Sequence, residues 1–166
     1  AKDDPEGAER SRADVGLLVD RRDVAEAAAR ALLALQPDDR VGLATLAEVQ
    51  RRNGAIDEAA ATAERGLRSH PTDPALQRVR GRVALDQGQT LQALPWLADG
   101  TPSSLDSADW AVLALAYAES SSADDWEKGV AAARRGLALD ANEMFYYYEK
   151  ATPVPGDPRL HRALGR

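Results

Sequence analysis

Two histidines, His70 and His161, are the side chains best suited to acid–base chemistry near neutral pH. Catalysis also needs a nucleophile beside a base, a carboxylate pair or a metal cluster in defined geometry. His70 precedes Pro71 at an expected turn, and His161 lies in an expected tail helix, so both are predicted to face solvent. The acid pairs Asp38-Asp39 and Asp124-Asp125 precede expected helices, where negative charge favours the helix dipole. We therefore expect helix caps at these acids rather than a catalytic site.

Residue types that hold metals and cofactors are scarce in this chain. There is no cysteine, which removes disulfides, thiolate catalysis and cysteine-based zinc or iron–sulfur sites together. The glycines stand singly rather than in a phosphate-binding loop. We therefore expect no enzyme activity and no cofactor.

The composition favours a helical protein. The 166 residues are 44% hydrophobic but only 5% aromatic, so alanine and leucine supply most of the apolar surface, as in closely packed helices. No run approaches the ~20 apolar residues of a membrane span. We expect a soluble protein, with the cytoplasm favoured over export. The net charge of −6 argues against general nucleic-acid binding, which needs clustered lysine and arginine.

One stretch, residues 37–71, predicts a complete helix–turn–helix unit. Its first helix is expected over Arg40–Arg52, and its second, rich in alanine, over Asp57–Leu67. Asn53 and Gly54 tolerate the left-handed conformation that ends a helix. A small residue opening the second helix recurs at intervals of 34, 34 and 36 residues, as Ala25, Ala59, Ala93 and Gly129. Such a period predicts stacked helix pairs whose small residues allow close approach.

Trp110, Leu113, Ala114 and Tyr117 have the spacing of the first-helix motif of the tetratricopeptide repeat, which the chain resembles over residues 6–142. The resemblance implies an all-α, right-handed superhelical solenoid of antiparallel helix pairs. The repeats are expected at about residues 6–39, 40–73, 74–106 and 107–142.

Several details of these repeats are predicted from single residues. Asp23 is the expected cap of the second helix in repeat one. In repeat three, Pro95 falls within a second helix expected over Leu91–Asp99, where it would kink the helix unless it lies in the first turn. In repeat four, extra residues around Ser120, Ser121 and Ser122 are expected to lengthen the turn between the helices.

Residues 143–166 are expected to form a capping helix and an extended tail. Phe145, Tyr146, Tyr147 and Tyr148 are four of the chain's eight aromatic residues, and consecutive residues point all round a helix. Two interpretations therefore remain open. The helix covers the last repeat, as solenoids require, or these rings form a docking surface for a partner or a following repeat. The missing initial methionine fits a processed chain or a part excised from a longer protein.

The resemblance also implies where a ligand would bind, because the first helices of tetratricopeptide arrays line a concave groove. At the centre of this groove it places Arg51, Arg52, Arg78 and Arg82, with Glu48 among them. Guanidinium groups bind carboxylates in a forked geometry, so we hypothesise that this set holds an acidic segment or the C-terminus of a protein partner. The alternative is that the arginines are solvated or paired with Glu48 and neighbouring acids. The other transferred groove positions are Arg10, Asp14, Ala44, Ala111, Leu115 and Glu119.

The resemblance implies a non-catalytic scaffold or adaptor for protein–protein interaction. The alternative is a structural accessory subunit, built into a larger multiprotein complex through its convex face or its aromatic helix. An adaptor should be stable and monomeric, whereas a built-in subunit should expose an apolar patch when isolated.

Overall fold

The computed structural model describes residues 4–98, 105–120 and 122–139. Every regular element in these ranges is a helix, which confirms the all-α class. The chain divides into two compact units, residues 1–83 and residues 84–166, and each is described by itself. The boundary falls inside one helix, α5, which spans Pro74–Asp86.

Unit 1 contains four helices and most of α5. These are α1 (Pro5–Leu18), α2 (Arg22–Leu35), α3 (Arg40–Arg52) and α4 (Ile56–Ser69). Consecutive helices pack on each other from α1 to α4, and α1 also contacts α3. Because the connecting turns are short, sequential helices run antiparallel, as the repeat pattern predicts.

Aspartates determine where several of these helices begin. Asp39 caps α3 by accepting a hydrogen bond from the Gly42 amide at 2.8 Å, as expected from the sequence. The cap predicted at Asp23 is wrong. Asp20 takes a left-handed φ of 53° and α2 already begins at Arg22, so Asp23 lies inside the first turn and pairs with Arg21 instead.

The small residues lie where helices approach closely, as predicted. Ala25 and Ala59 are fully buried in unit 1. A Cβ added to Gly16 of α1 would lie 2.8 Å from the Ala25 amide nitrogen of α2. Backbone atoms therefore limit the distance between these two helices. Gly54 ends α3 with a φ of 81°, whereas Asn53 stays right-handed at −83°.

Unit 2 contains the end of α5, a 3₁₀ helix (Thr90–Ala93), α6 (Leu94–Leu97), α7 (Ser107–Glu119) and α8 (Ala123–Leu139). The continuous helix expected over residues 91–99 is replaced by the 3₁₀ segment and the single turn of α6. Pro95 lies in the first turn of α6, where its missing amide hydrogen removes no helical hydrogen bond. Gly88, with a φ of 72°, repeats the turn made by Gly54.

The core of unit 2 lies between α6, α7 and α8. It includes the fully buried Leu97 and Val112, and Trp96 packs against it as a partly buried side chain. The lengthened turn expected at Ser120–Ser122 is wrong, because α8 begins at Ala123 and takes up the extra residues in a helix of 17 residues. The predicted capping helix with Phe145, Tyr146, Tyr147 and Tyr148, and also His161, lie outside the described residues.

Candidate functional site

Four of the five residues predicted for the groove centre form one ionic cluster in unit 1. Glu48, on α3, accepts hydrogen bonds from Arg51 Nε at 2.9 Å, Arg51 Nη2 at 3.0 Å and Arg52 Nε at 2.7 Å. Arg82, on α5, places Nη1 3.6 Å from Glu48 Oε1. We call Glu48, Arg51, Arg52 and Arg82 the arginine cluster. It joins two first helices of adjacent repeats through one carboxylate.

Most of the arginine cluster is shielded from solvent. The exposed fraction of the side chain is 5% for Glu48, 9% for Arg51 and 10% for Arg82, but 29% for Arg52. Burying a charge is costly unless it is paired and hydrogen-bonded, and Glu48 supplies that partner here. Among the cluster arginines, Arg52 is therefore the most accessible to a ligand.

The arginines also determine the ionisation of Glu48. Burial by itself would raise the pKa of this carboxyl, but hydrogen bonds and charge from Arg51, with charge from Arg82 and a hydrogen bond from Arg52, lower the pKa to about 2. Glu48 is therefore ionised throughout the physiological range.

Arg52 additionally binds the end of another helix. Its Nη1 donates to the Leu17 carbonyl at 3.1 Å, and Arg22 Nη1 donates to the Arg52 carbonyl at 3.0 Å. Carbonyls in the last turn of a helix lack intrahelical partners, so these guanidinium groups satisfy the ends of α1 and α3. Arg22 was not among the residues predicted from the sequence, because its contact joins helix ends that are 30 residues apart.

The remaining predicted groove residues are distributed over the first helices. Arg10 pairs with the buried Asp39 at 2.9 Å, and Arg78 lies one turn before Arg82 on the same face of α5, partly buried. Asp14 and Glu119 are exposed, whereas Ala44, Ala111 and Leu115 are buried.

His70 has a structural contact. Its Nε2 lies 2.8 Å from the Asp38 carbonyl oxygen, and Arg65 Nη2 donates to the neighbouring Pro37 carbonyl. These two side chains attach α4 to the turn between α2 and α3. Within the described ranges, no three His, Cys, Asp or Glu side chains are grouped so that they could hold a metal ion.

Unit 2 contains a small cavity that the sequence analysis did not predict. The cavity measures about 200 Å³ and lies between α6, α7 and α8. Two cations lie over aromatic rings in its wall: Arg135 Cζ is 5.0 Å from the Trp110 ring centroid, and Lys128 Nζ is 5.6 Å from that of Tyr117. Both rings occupy positions of the repeat motif, but the motif gives no information about the cations opposite them.

No helix in the described part of the chain is both long enough and apolar enough to cross a membrane.

Comparison with known proteins gives matches among solved structures. MamA 41-end from Desulfovibrio magneticus RS-1 is 21% identical, with 91% of this chain and 84% of that chain covered at a TM-score of 0.60. MamA AMB-1 C2221 is 16% identical, with 98% of this chain and 95% of that chain covered at a TM-score of 0.64. A protein described as a thermophilic TPR protein, TTC0263 of Thermus thermophilus, is 19% identical, with 96% of this chain and 97% of that chain covered at a TM-score of 0.63. No protein-family model and no curated protein matches the chain.

Proposed function

We propose that this chain, which has the all-α solenoid fold of tetratricopeptide-repeat proteins, is a scaffold that binds a segment of a partner protein along its first helices. The observation that carries this proposal is the convergence of Arg51, Arg52 and Arg82 on Glu48. A set of guanidinium groups held in place by one carboxylate loses little conformational entropy when a ligand arrives.

We infer different tasks for the arginines from their exposure. Arg51 and Arg82 are almost completely buried, so we expect them to hold neighbouring side chains in position rather than to contact a ligand. Arg52 retains 29% exposure of its side chain, and Arg78 lies one turn from Arg82 on α5. We propose that Arg52 and Arg78 contact the carboxylates of an acidic segment or a C-terminus.

A single charge reversal tests this assignment. Arg78→Glu should reduce capture of an acidic partner from a lysate of the source organism at least tenfold, because it replaces an attraction by a repulsion. Arg82 should be left unchanged, since a second carboxylate beside Glu48 would damage the fold. The matched control is Arg30→Glu, which makes the same charge change at a side chain that is 66% exposed on α2.

Equal capture by the intact chain and by Arg78→Glu, with unchanged melting temperatures, would remove the acidic-segment proposal. Loss of capture by both variants would indicate a general dependence on net charge, and would also count against it.

A second candidate function, a subunit built into a complex, is favoured by an apolar stripe at the end of α1, which includes the capping residue Val19. Val15, Leu18 and Val19 follow the i, i+3, i+4 spacing of one helix face and are 55%, 85% and 58% exposed. Val49, which occupies the position equivalent to Val15 in the next repeat, is only 1% exposed. The residues equivalent to Leu18 and Val19 are the partly buried Arg52 and the exposed Asn53, so the next repeat has polar side chains where this stripe exposes apolar ones.

The oligomeric state distinguishes the two candidates. A scaffold should remain monomeric at high concentration in light scattering, whereas a built-in subunit should associate through the stripe. Val15→Ser with Leu18→Ser should abolish such association, and Ala8→Ser with Ser11→Ala on the same helix provides a control that leaves the stripe intact.

A further inference from the structure

The cavity of unit 2 has apolar walls. Leu97 is fully buried, Leu113 and Trp110 are 3% and 8% exposed, and Leu105 is 8% exposed. Nothing polar in these four side chains, apart from the indole N–H, would compensate a buried charge. The interior of the cavity is therefore suited to hydrocarbon or an aromatic ring.

The rim of the cavity is cationic. Arg135 lies over the face of Trp110, and no carboxylate of the described residues pairs with it. A guanidinium that lies over a ring keeps N–H donors at its edge, and these donors match a carboxylate. Lys128 differs, because its ammonium already pairs with Asp125 at 2.8 Å. Arg135 is thus the cation that a ligand can use.

The size of the cavity limits what can enter. Sites for drug-sized ligands and cofactors measure roughly 300–1,000 Å³, and this cavity of about 200 Å³ is smaller. It accommodates one apolar side chain rather than a whole cofactor. A ligand that inserts a single side chain is a polypeptide. A carboxylate next to that side chain in the polypeptide would complement the charge of Arg135.

We propose that this cavity is a second binding site, which takes one apolar side chain of a partner protein while Arg135 holds an Asp or Glu carboxylate adjacent to it in the partner's sequence. The inference deepens the scaffold function and rests on it. Buried apolar anchors beside charge-assisted hydrogen bonds are the features that carry most of the affinity at protein interfaces.

The test uses nuclear magnetic resonance of the ¹⁵N-labelled full chain. The probe is a peptide with one phenylalanine between glutamates, acetylated at its N-terminus and amidated at its C-terminus. Titration should shift the Trp110 indole N–H signal in a saturable way. Arg135→Gln should raise the dissociation constant about tenfold, the effect of losing one charge-assisted contact worth about 1.4 kcal/mol. Ala131→Leu, an exposed position at the cavity wall, should weaken binding by filling the entrance.

Arg134→Gln is the matched control, since it removes the same charge from the adjacent exposed residue, which does not line the cavity. Its dissociation constant should stay within twofold of that of the intact chain. A matched peptide with glycine in place of phenylalanine should leave the Trp110 signal unchanged. All variants should keep the helical circular dichroism and the melting temperature of the intact chain.

Several outcomes would overturn the proposal. One is a Trp110 signal that does not change during the titration. Others are a loss of affinity in Arg134→Gln equal to that in Arg135→Gln, or binding of the glycine peptide equal to that of the phenylalanine peptide. The last is tighter binding of a peptide that ends in a free phenylalanine carboxylate, or of 3-phenylpropionate, than of the capped peptide. A Trp110 shift that depends on protein concentration without peptide would instead identify a second copy as the occupant. Repeating the titration with Arg78→Glu separates the two sites. A retained Trp110 response would support the cavity site even if the unit 1 surface fails its own test.

Discussion

Glu48 and Arg51 are joined by two hydrogen bonds, 2.9 Å from Arg51 Nε to Oε2 and 3.0 Å from Nη2 to Oε1, with less than a tenth of either side chain exposed. The two residues are one helical turn apart on α3, so the helix itself sets the geometry of the pair. The neighbours Arg52 and Arg82 share the same buried carboxylate, and Arg52 also pairs with Asp20 at 3.4 Å.

Removing the charge of Glu48 should therefore destabilise unit 1. Glu48→Gln keeps the shape of the side chain but removes the negative charge that three guanidinium groups share, and breaking a buried ion pair on one side costs about 3–5 kcal/mol. Urea denaturation followed by circular dichroism measures the change in the free energy of unfolding. The control is Glu26→Gln, which removes a partly exposed i, i+4 partner of Arg30 and should cost about 0.5 kcal/mol or less. Similar losses for the two variants would show that the cluster is not a buried network in solution.

The same carboxylate predicts a dependence of stability on pH. The pKa of Glu48 is about 2 in the folded chain against an ordinary value of 4.5, so the folded state binds its proton more weakly than the unfolded state. The stabilisation is fully present above about pH 4.5 and is lost as the pH falls towards 2. The shift corresponds to about 3 kcal/mol, at about 1.4 kcal/mol per pKa unit. Denaturation at pH 7, 4 and 3 should show a steeper decline for the intact chain than for Glu48→Gln, and parallel declines would contradict the assignment.

Close approach of helices predicts a difference between two glycines. Gly16→Ala would place a Cβ 2.8 Å from the Ala25 amide nitrogen, and backbone atoms cannot move aside independently. We expect a loss of about 1–3 kcal/mol in the free energy of unfolding. This loss exceeds the stabilisation that alanine contributes through its higher helix propensity. Gly66→Ala meets the methyl ends of Leu76 instead, which can rotate, so its loss should be smaller. Thermal unfolding of both variants gives the order, and a larger loss at Gly66 would refute the geometric argument.

Asp39 has two contacts that substitution can separate. Its Oδ1 caps α3 at the Gly42 amide, and its Oδ2 accepts from Arg10 Nη2 at 2.9 Å. Asp39→Asn retains an oxygen for the cap but replaces the oxygen that accepts from Arg10 with an NH2 donor, so it loses the ion pair, whereas Asp39→Ala loses both contacts and should cost about 1 kcal/mol more. Chemical denaturation of the two single variants and of the double variant Asp39→Ala with Arg10→Gln measures the contribution of the cap and that of the Arg10 pair. Equal destabilisation by Asn and Ala would mean that the cap contributes nothing.

The sequence was sufficient for the fold wherever one residue type carries a local constraint. The period of small residues predicted the helix pairs. In agreement with that prediction, Ala25, Ala59 and Ala93 are fully buried. Gly54 and Gly88 predicted turns that require a left-handed φ. These constraints act between residues close in sequence or between equivalent positions of neighbouring repeats, so a linear pattern records them.

The sequence was insufficient where long side chains choose among several partners. Arg52 could face solvent, pair with Glu48 or bind a carbonyl, and the structure has contacts to Glu48 and to the Leu17 carbonyl. Arg135 lies over Trp110, although nothing in the spacing of the two residues indicates an interaction. The short 3₁₀ helix at Thr90–Ala93 was also missed, because its hydrogen bonds depend on how the segment packs against α7. The role of the arginine cluster in binding stays a prediction.

The bonds from Arg52 to the Leu17 carbonyl and from Arg22 to the Arg52 carbonyl link the end of one helix pair to the end of the next. Repeat proteins unfold according to how strongly each repeat is coupled to its nearest neighbour. These two side-chain-to-carbonyl bonds raise that coupling at this junction, so fraying of α1 removes the Leu17 partner of Arg52 in the last turn of α3. The amide hydrogens of both helix ends should therefore exchange with solvent as one cooperative group, and Arg52→Lys should separate their rates.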